Sequence, residues 1–246
     1  MKPQPLLRPS AGAARCKRCA LHTRCLPLGL EHDALQSFDT ILKLPQALKR
    51  GEALVRQGGR FTSLYVVRSG SLKQSVDSQA GQRGQVMNFY LPGEIVGLDG
   101  IGEPRYHSSV VALESTFVCE LPFTRLEDLA EQLPGLRGQL YRCMSRKLRN
   151  DQRTLCLLSG RTADQRLASF LLGLSERFRS RGYSPHCFHL SMSRSDIASY
   201  LGLALETVSR VLARFQEQGV LSVSGRELTI HDREALLSLA EEGMRP

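Results

Sequence analysis

No apolar run in this 246-residue chain approaches the length, about 18 residues, that a membrane-spanning helix needs. No segment is therefore expected to cross a bilayer. The first stretch, MKPQPLLRPSAGAARC, has no apolar centre and carries Pro3, Pro5 and Pro9, so no secretory signal peptide is expected. The seven cysteines are accordingly placed in a reducing cytoplasm, where structural disulfides are rare. Metal, cluster or redox roles are then the ones to weigh. The chain has no internal repeat. No Ser/His/Asp set, phosphate-binding loop or carboxylate pair stands out, so it is not expected to be an enzyme.

Acidic residues are missing from positions 1–30, which hold six Lys and Arg. That segment and one central stretch account for most of the net charge of +9. The overall charge alone is therefore a poor argument for a nucleic-acid partner. With 41% hydrophobic and 23% charged residues, the chain is globular and long enough for two compact domains.

What is present changes character along the chain. From about Leu44 to Leu121 short β-like runs alternate with glycines, as in SLYVVRSGSLKQSV and SSVVALESTFVCELP. Regular turn signals between short strands predict a barrel or jelly roll. Between Pro134 and Leu158 no glycine or proline follows Gly138. Here Tyr141, Met144, Leu148, Asp151, Leu155 and Leu158 recur at spacings of three and four, the seam of a coiled coil. A helix packed on its own domain would show the same stripe. Asp151 is the one charge on the seam. Ser159-Gly160 is a candidate hinge, and Thr162 and Gly182 bracket a further amphipathic helix.

The segment MSRSDIASYLGLALETVSRVLARFQEQGVLSVSGRELTIHD carries the most specific pattern. Ser193 and Asp196 make a capping box for a short helix with Ile197, Ala198 and Leu201 inward. Gly202 supplies the tight turn, and a second helix spans about Leu205 to Gln218. Val208, Leu212 and Phe215 face the core of that helix, leaving Glu206, Ser209 and Arg210 outward near its start. Arginine pairs with the O6 and N7 of guanine, and glutamate accepts from the N4 of cytosine. A hairpin turned at Ser224-Gly225 follows as a wing. The whole predicts a winged helix-turn-helix that lays its second helix in the major groove.

Ahead of the roll, CKRCALHTRC spaces Cys16, Cys19 and Cys25 as C-x2-C-x5-C. Three thiols so close together point to one bound object. Thiolates suit iron–sulfur clusters and zinc alike. The spacing favours a cluster, because structural zinc more often uses paired C-x2–4-C knuckles. Lys17, Arg18 and Arg24 would offset the charge of a thiolate-ligated cluster, and His22 is a weak rival ligand. A cluster borne on a tail would also be exposed to a small oxidant. Cys143, Cys156 and Cys187 are expected to be buried, unreactive thiols.

MSRSDIASYLGLALETVSRVLARFQ, the glycine-punctuated roll and the long central helix together resemble the CRP/FNR superfamily of bacterial transcription regulators. The resemblance runs from about Cys16 onward and is nearest the FNR/ANR branch. It implies an α+β fold in four parts. These are a cluster-binding segment (1–30), a β-roll of the cyclic-nucleotide-binding jelly-roll type (31–133), a dimerisation helix (134–160) and a winged helix-turn-helix (161–246). It implies that Cys119, in TFVCELP, is the fourth ligand of a [4Fe–4S] cluster with Cys16, Cys19 and Cys25. It also implies an oxygen-responsive activator that forms a homodimer through Tyr141, Met144, Leu148, Asp151, Leu155 and Leu158. That dimer would bind double-stranded DNA at an inverted repeat through Glu206, Ser209 and Arg210 and contact RNA polymerase. Leu205 stands where cyclic-AMP receptors carry a further arginine, which implies a TTGAT-like half-site. In the roll, Leu98 and Asp99 follow Gly97 where a cyclic-nucleotide receptor has glutamate, and its Arg-Ser pair falls at about Tyr106-His107, with Arg105 one position away. Zinc or thiol switching, or cyclic-nucleotide binding, on the same scaffold remain the alternatives.

Overall fold

The computed structural model describes residues 16, 19–21, 25–26, 30–43, 45–77 and 84–241, without the side chain of His32. Lys17, Arg18, His22 and Arg24 lie outside the described residues.

Helix α1 (His32–Ile41) buries Phe38 and Ile41 and leads into the roll. The roll is two four-stranded antiparallel sheets. One has the order β1 (Gln46–Leu48), β8 (Thr116–Pro122), β3 (Ser63–Ser69), β6 (Ile95–Val96). The other has the order β2 (Ala53–Val55), β7 (Ser109–Ala112), β4 (Leu72–Val76), β5 (Gln85–Tyr90). Val67, Leu72, Tyr90, Val96, Val110 and Val118 meet between the sheets with almost no exposure. Strand β8 lies inside its sheet, paired to β1 on one side and β3 on the other, with Cys119 opposite Val66. Gly70 turns β3 into β4 at φ +80°, with Thr116 so close that a Cβ would clash.

Helix α2 (Phe123–Gln132) closes the roll, burying Leu126 and Leu129. Helix α3 (Pro134–Leu158) begins with proline at its first position, where the missing N–H costs nothing. Only Leu136 of α3 is fully buried. Tyr141, Leu148 and Leu155 are 63%, 61% and 65% exposed, an apolar stripe that no element among the described residues covers. Leu158, at the end of the stripe, is half-buried beside the turn at Gly202.

Helix α4 (Ala163–Arg179) starts in a full capping box between Thr162 and Gln165. Strand β9 (Cys187–His189) follows, then α5 (Arg194–Leu201), capped by Ser193 and Asp196 and ended by Gly202 at φ +61°. Helix α6 (Leu205–Glu217) buries Val208, Val211, Leu212 and Phe215. Strands β10 (Leu221–Ser224) and β11 (Glu227–Ile230) form the expected hairpin, and β9 adds a third strand beside β11. Helix α7 (Arg233–Glu241) packs on α4.

The roll and the winged helix share one apolar cluster. Val86, Phe89 and Leu91 of the roll pack with Phe170, Leu201 and Leu212. The rings of Phe89, Phe170 and Tyr200 stand 5.3–6.0 Å apart, centre to centre, in a triangle. Polar contacts frame it. Lys73 Nζ lies 2.6 Å from Asp196 Oδ1, and the Val86 N–H donates to Ser199 Oγ at 2.9 Å. Glu94 receives Arg177 at 2.7 Å and Arg181 at 2.6 Å.

Candidate functional site: a four-thiol pocket and the exposed face of α6

The four cysteines singled out in the sequence come together. Cys16, Cys19 and Cys25 on the N-terminal segment and Cys119 on β8 line one apolar pocket, walled by Phe38, Leu42, Val66 and Leu121. Local hydrogen bonds shape the segment. The Cys19 N–H donates to Cys16 O at 3.1 Å, and the Cys25 N–H donates to Leu21 O at 2.9 Å. The Cys16 N–H donates to Asp39 Oδ1 of α1 at 2.8 Å, which fixes the start of the segment on the body. Leu26 is fully buried in the cluster that holds α1 and α2. All four thiols are half-buried and Leu26 is seated in the cluster of α1, α2 and the roll, so the expected exposed site is corrected.

The electrostatics of the pocket follow from its dryness. Burial raises the Cys16 thiol far above its ordinary range, reinforced by Asp39, Cys25 and Cys119. Burial pushes Cys25 up to about 12, and Cys119, Cys19 and Cys143 add to the rise. Cys119 is raised by burial, while Arg68 pulls the other way. In this apolar wall Cys16, Cys25 and Cys119 hold their protons unless a cationic core takes the thiolates, so the donor set fits a metal–sulfur group. Among the described residues, no three Cys, His, Asp or Glu side chains converge closely enough to hold a single metal ion. Arg68, Asp39 and Phe38 were not anticipated, since nothing in their spacing marks them. Arg68 sits two residues beyond Val66, the partner of Cys119, and strand pairing brings it there.

The other cysteines correct the sequence reading in part. Cys143 is half-buried, but Cys156 and Cys187 are exposed. Cys156 is exposed because the space between α3, the roll and α4, which it lines, is open.

In the roll, Tyr90 Oη donates to Gln74 Oε1 at 2.8 Å. Gln74 Nε2 donates to Asp99 Oδ2 at 3.0 Å and to Ser108 Oγ at 2.7 Å. Ser108 Oγ donates to the same Asp99 oxygen at 2.8 Å. Arg105 turns outward and donates to Gly58 O at 2.7 Å, and Tyr106 is buried with its hydroxyl on Ser63 O.

On α6, Glu206 and Arg210 are exposed and Ser209 is half-buried, all near the N-terminal end. Arg210 reaches back only to Thr207 Oγ1 at 3.4 Å, which leaves its guanidinium free to meet a partner. Leu205, at the head of the helix, is 43% exposed.

The Crp-like helix-turn-helix domain family matches residues 165–239, and the cyclic nucleotide-binding domain family matches 45–133. The transcriptional activator protein Anr of Pseudomonas aeruginosa is 52% identical over 92% of this chain and 93% of its own length. The fumarate and nitrate reduction regulatory protein of Escherichia coli is 41% identical over 93% and 91%. Among solved structures, FixK2 from Bradyrhizobium japonicum aligns with a TM-score of 0.73 at 30% identity, covering 79% of this chain and 96% of that one.

The chain belongs to the CRP/FNR family. It is a DNA-binding transcription regulator of the Anr/FNR type. No helix among the described residues is long and apolar enough to cross a membrane.

Proposed function

We propose that this regulator is a cytoplasmic transcription activator that answers to oxygen through a [4Fe–4S] cluster held by Cys16, Cys19, Cys25 and Cys119. The convergence of these four thiols on one apolar pocket, from two distant parts of the chain, carries the reading. Such a cluster supplies an oxygen-labile link between the N-terminal segment and β8. The chain's part is to present four soft donors, exclude bulk water with Phe38, Val66 and Leu121, and balance charge with Arg68. The C-x2-C-x5-C spacing favours the cluster over zinc, which more often takes paired C-x2–4-C knuckles.

With the site filled, two chains pair through Tyr141, Met144, Leu148, Asp151, Leu155 and Leu158. The homodimer then sets Glu206, Ser209 and Arg210 on the two halves of a TTGAT-like inverted repeat and contacts RNA polymerase. The roll takes no cyclic nucleotide in this reading. Asp99 is engaged by Gln74 and Ser108, and Arg105 points away to Gly58 O.

The test is anaerobic purification. The expected product is brown, with equal iron and sulfide, and Cys119→Ser removes both while Cys156→Ser keeps them. A colourless zinc protein, or a full cluster in Cys119→Ser, overturns the assignment.

A further inference from the structure

Cys25 has two exposures. It lines the four-thiol pocket, and it also lines an open groove of about 1190 Å³ that runs between α3, the roll and α4. On the α3 side of that groove stands Cys143. Both sulfurs belong to the same apolar cluster, packed around Leu26, Leu126 and Leu136. Cys143 does not line the four-thiol pocket, so the proposed ligand set leaves it unused. Cys16 and Cys119, of the proposed ligand set, pack on the same cluster, whereas Cys156 and Cys187 stand apart from it. Cys187 lies on β9 beside Glu227 and Thr229, and Cys156 is exposed farther along α3.

We propose that Cys25 and Cys143 are a thiol pair that closes to a disulfide in the cluster-free protein, tying the N-terminal segment to the dimerisation helix. The oxidant is a peroxide, which reaches Cys143 through the groove. Hydrogen peroxide oxidises the Cys143 thiol to a sulfenic acid and is reduced to one water. The Cys25 sulfur then attacks the sulfenic sulfur. The S–S bond forms, the S–O bond breaks, and the leaving hydroxide takes the Cys25 proton as a second water. Two thiols have lost two electrons and two protons to one peroxide. The bond would shield Cys25 from irreversible oxidation and hold the emptied site in a form that a thiol reductant reopens. A cluster that used Cys25 would block the pairing, and in that respect alone the inference rests on the proposed function.

Trypsin makes the test direct. It cuts after Arg24 and Arg142, releasing Cys25–Lys43 and Cys143–Arg146, each with one cysteine. Full-length protein, freed of metal by an anaerobic chelator, is treated with stoichiometric hydrogen peroxide, alkylated and digested without reductant. The expected mass is that of the two peptides joined, lost on reduction and absent from Cys143→Ser but retained in Cys156→Ser and Cys187→Ser. Recovery of Cys25 alkylated, or bonded to Cys16, Cys19 or Cys119, overturns the proposal. The outcome is independent of the cluster assignment. A protein that forms the joined peptide yet binds no iron or sulfide anaerobically sinks that assignment alone. One that binds both and forms no joined peptide sinks the pair alone.

Discussion

Arg210 and Cys119 show what one residue contributes when its neighbours are arranged for it. Arg210 stands exposed on α6 with only a long contact to Thr207, so little internal binding is given up when it meets a guanine edge. Arg210→Ala is expected to cost about 1–3 kcal/mol at the preferred site, or about 5–150-fold in affinity. Preference at the guanine position should relax. Fluorescence anisotropy on single-base variants at two salt concentrations checks it. Equal weakening on every sequence would mark a phosphate contact instead. At this scale much of the site was legible. Cysteine spacing, helix caps and the outward face of α6 are local in sequence; the caps at Thr162 and Ser193 form as read, and Glu206 and Arg210 are exposed while Ser209 is half-buried. Arg68 and Asp39 were not, because their roles come from strand pairing and from a backbone N–H, and neither leaves a periodic trace. Cys156 and Cys187 were misjudged because a thiol's burial depends on what covers it, not on its type.

At the scale of the element, α3 is the informative case. Its spacing of three and four was readable, and the exposed apolar stripe agrees with a seam awaiting a partner. Helix α1 went unread because Glu31 makes no side-chain cap and the helix is only ten residues long. Asp151 interrupts the stripe. Two such carboxylates about 5 Å apart across a symmetric seam repel by roughly 3 kcal/mol at an effective dielectric near 20. The structure adds a counterweight, since Lys147 Nζ bonds Asp151 Oδ1 one turn away. The pair should leave the helix marginal rather than unable to dimerise. Asp151→Ala is therefore expected to sediment as a dimer in air and to bind its palindrome without a cluster. Lys147→Ala should shift the balance the other way, because it bares the carboxylate. An Asp151→Ala protein that remains monomeric in air would remove the electrostatic account.

For the whole molecule, the joint between roll and winged helix was illegible in the sequence. It unites Lys73, Phe89 and Glu94 with Asp196, Phe170 and Arg177, residues some eighty to one hundred and twenty positions apart with no shared pattern. The Ser159-Gly160 break reads as a candidate hinge, and a shared apolar cluster packs the two parts it joins against each other. Burial would raise the Glu94 carboxyl, but Arg177 and Arg181, with the Leu91 N–H, hold it below its ordinary value of 4.5. A carboxyl whose folded value is depressed stabilises the fold above its unfolded value and loses that stabilisation as pH falls through the folded one. The joint should therefore weaken below about pH 4.5. Glu94→Gln should cost about 1.5–3 kcal/mol at neutral pH and flatten the acid limb. Thermal unfolding from pH 3 to 7 measures both. An acid limb unchanged in the variant would assign it to other carboxylates.

The position of β8 has a consequence for the order of events in the cell. Strand β8 is set between two hydrogen-bonded neighbours and Cys119 pairs with Val66 of β3, so its place exists only once β3 and β8 have paired. The other three thiols precede the roll and leave the ribosome first. If the four cysteines hold the proposed cluster, a nascent chain offers an incomplete claw for most of its synthesis, and maturation is scheduled: folding first, loading second. A lesion that slows the roll, such as Gly70→Ala at its crowded turn, would delay the second step without altering a single cysteine.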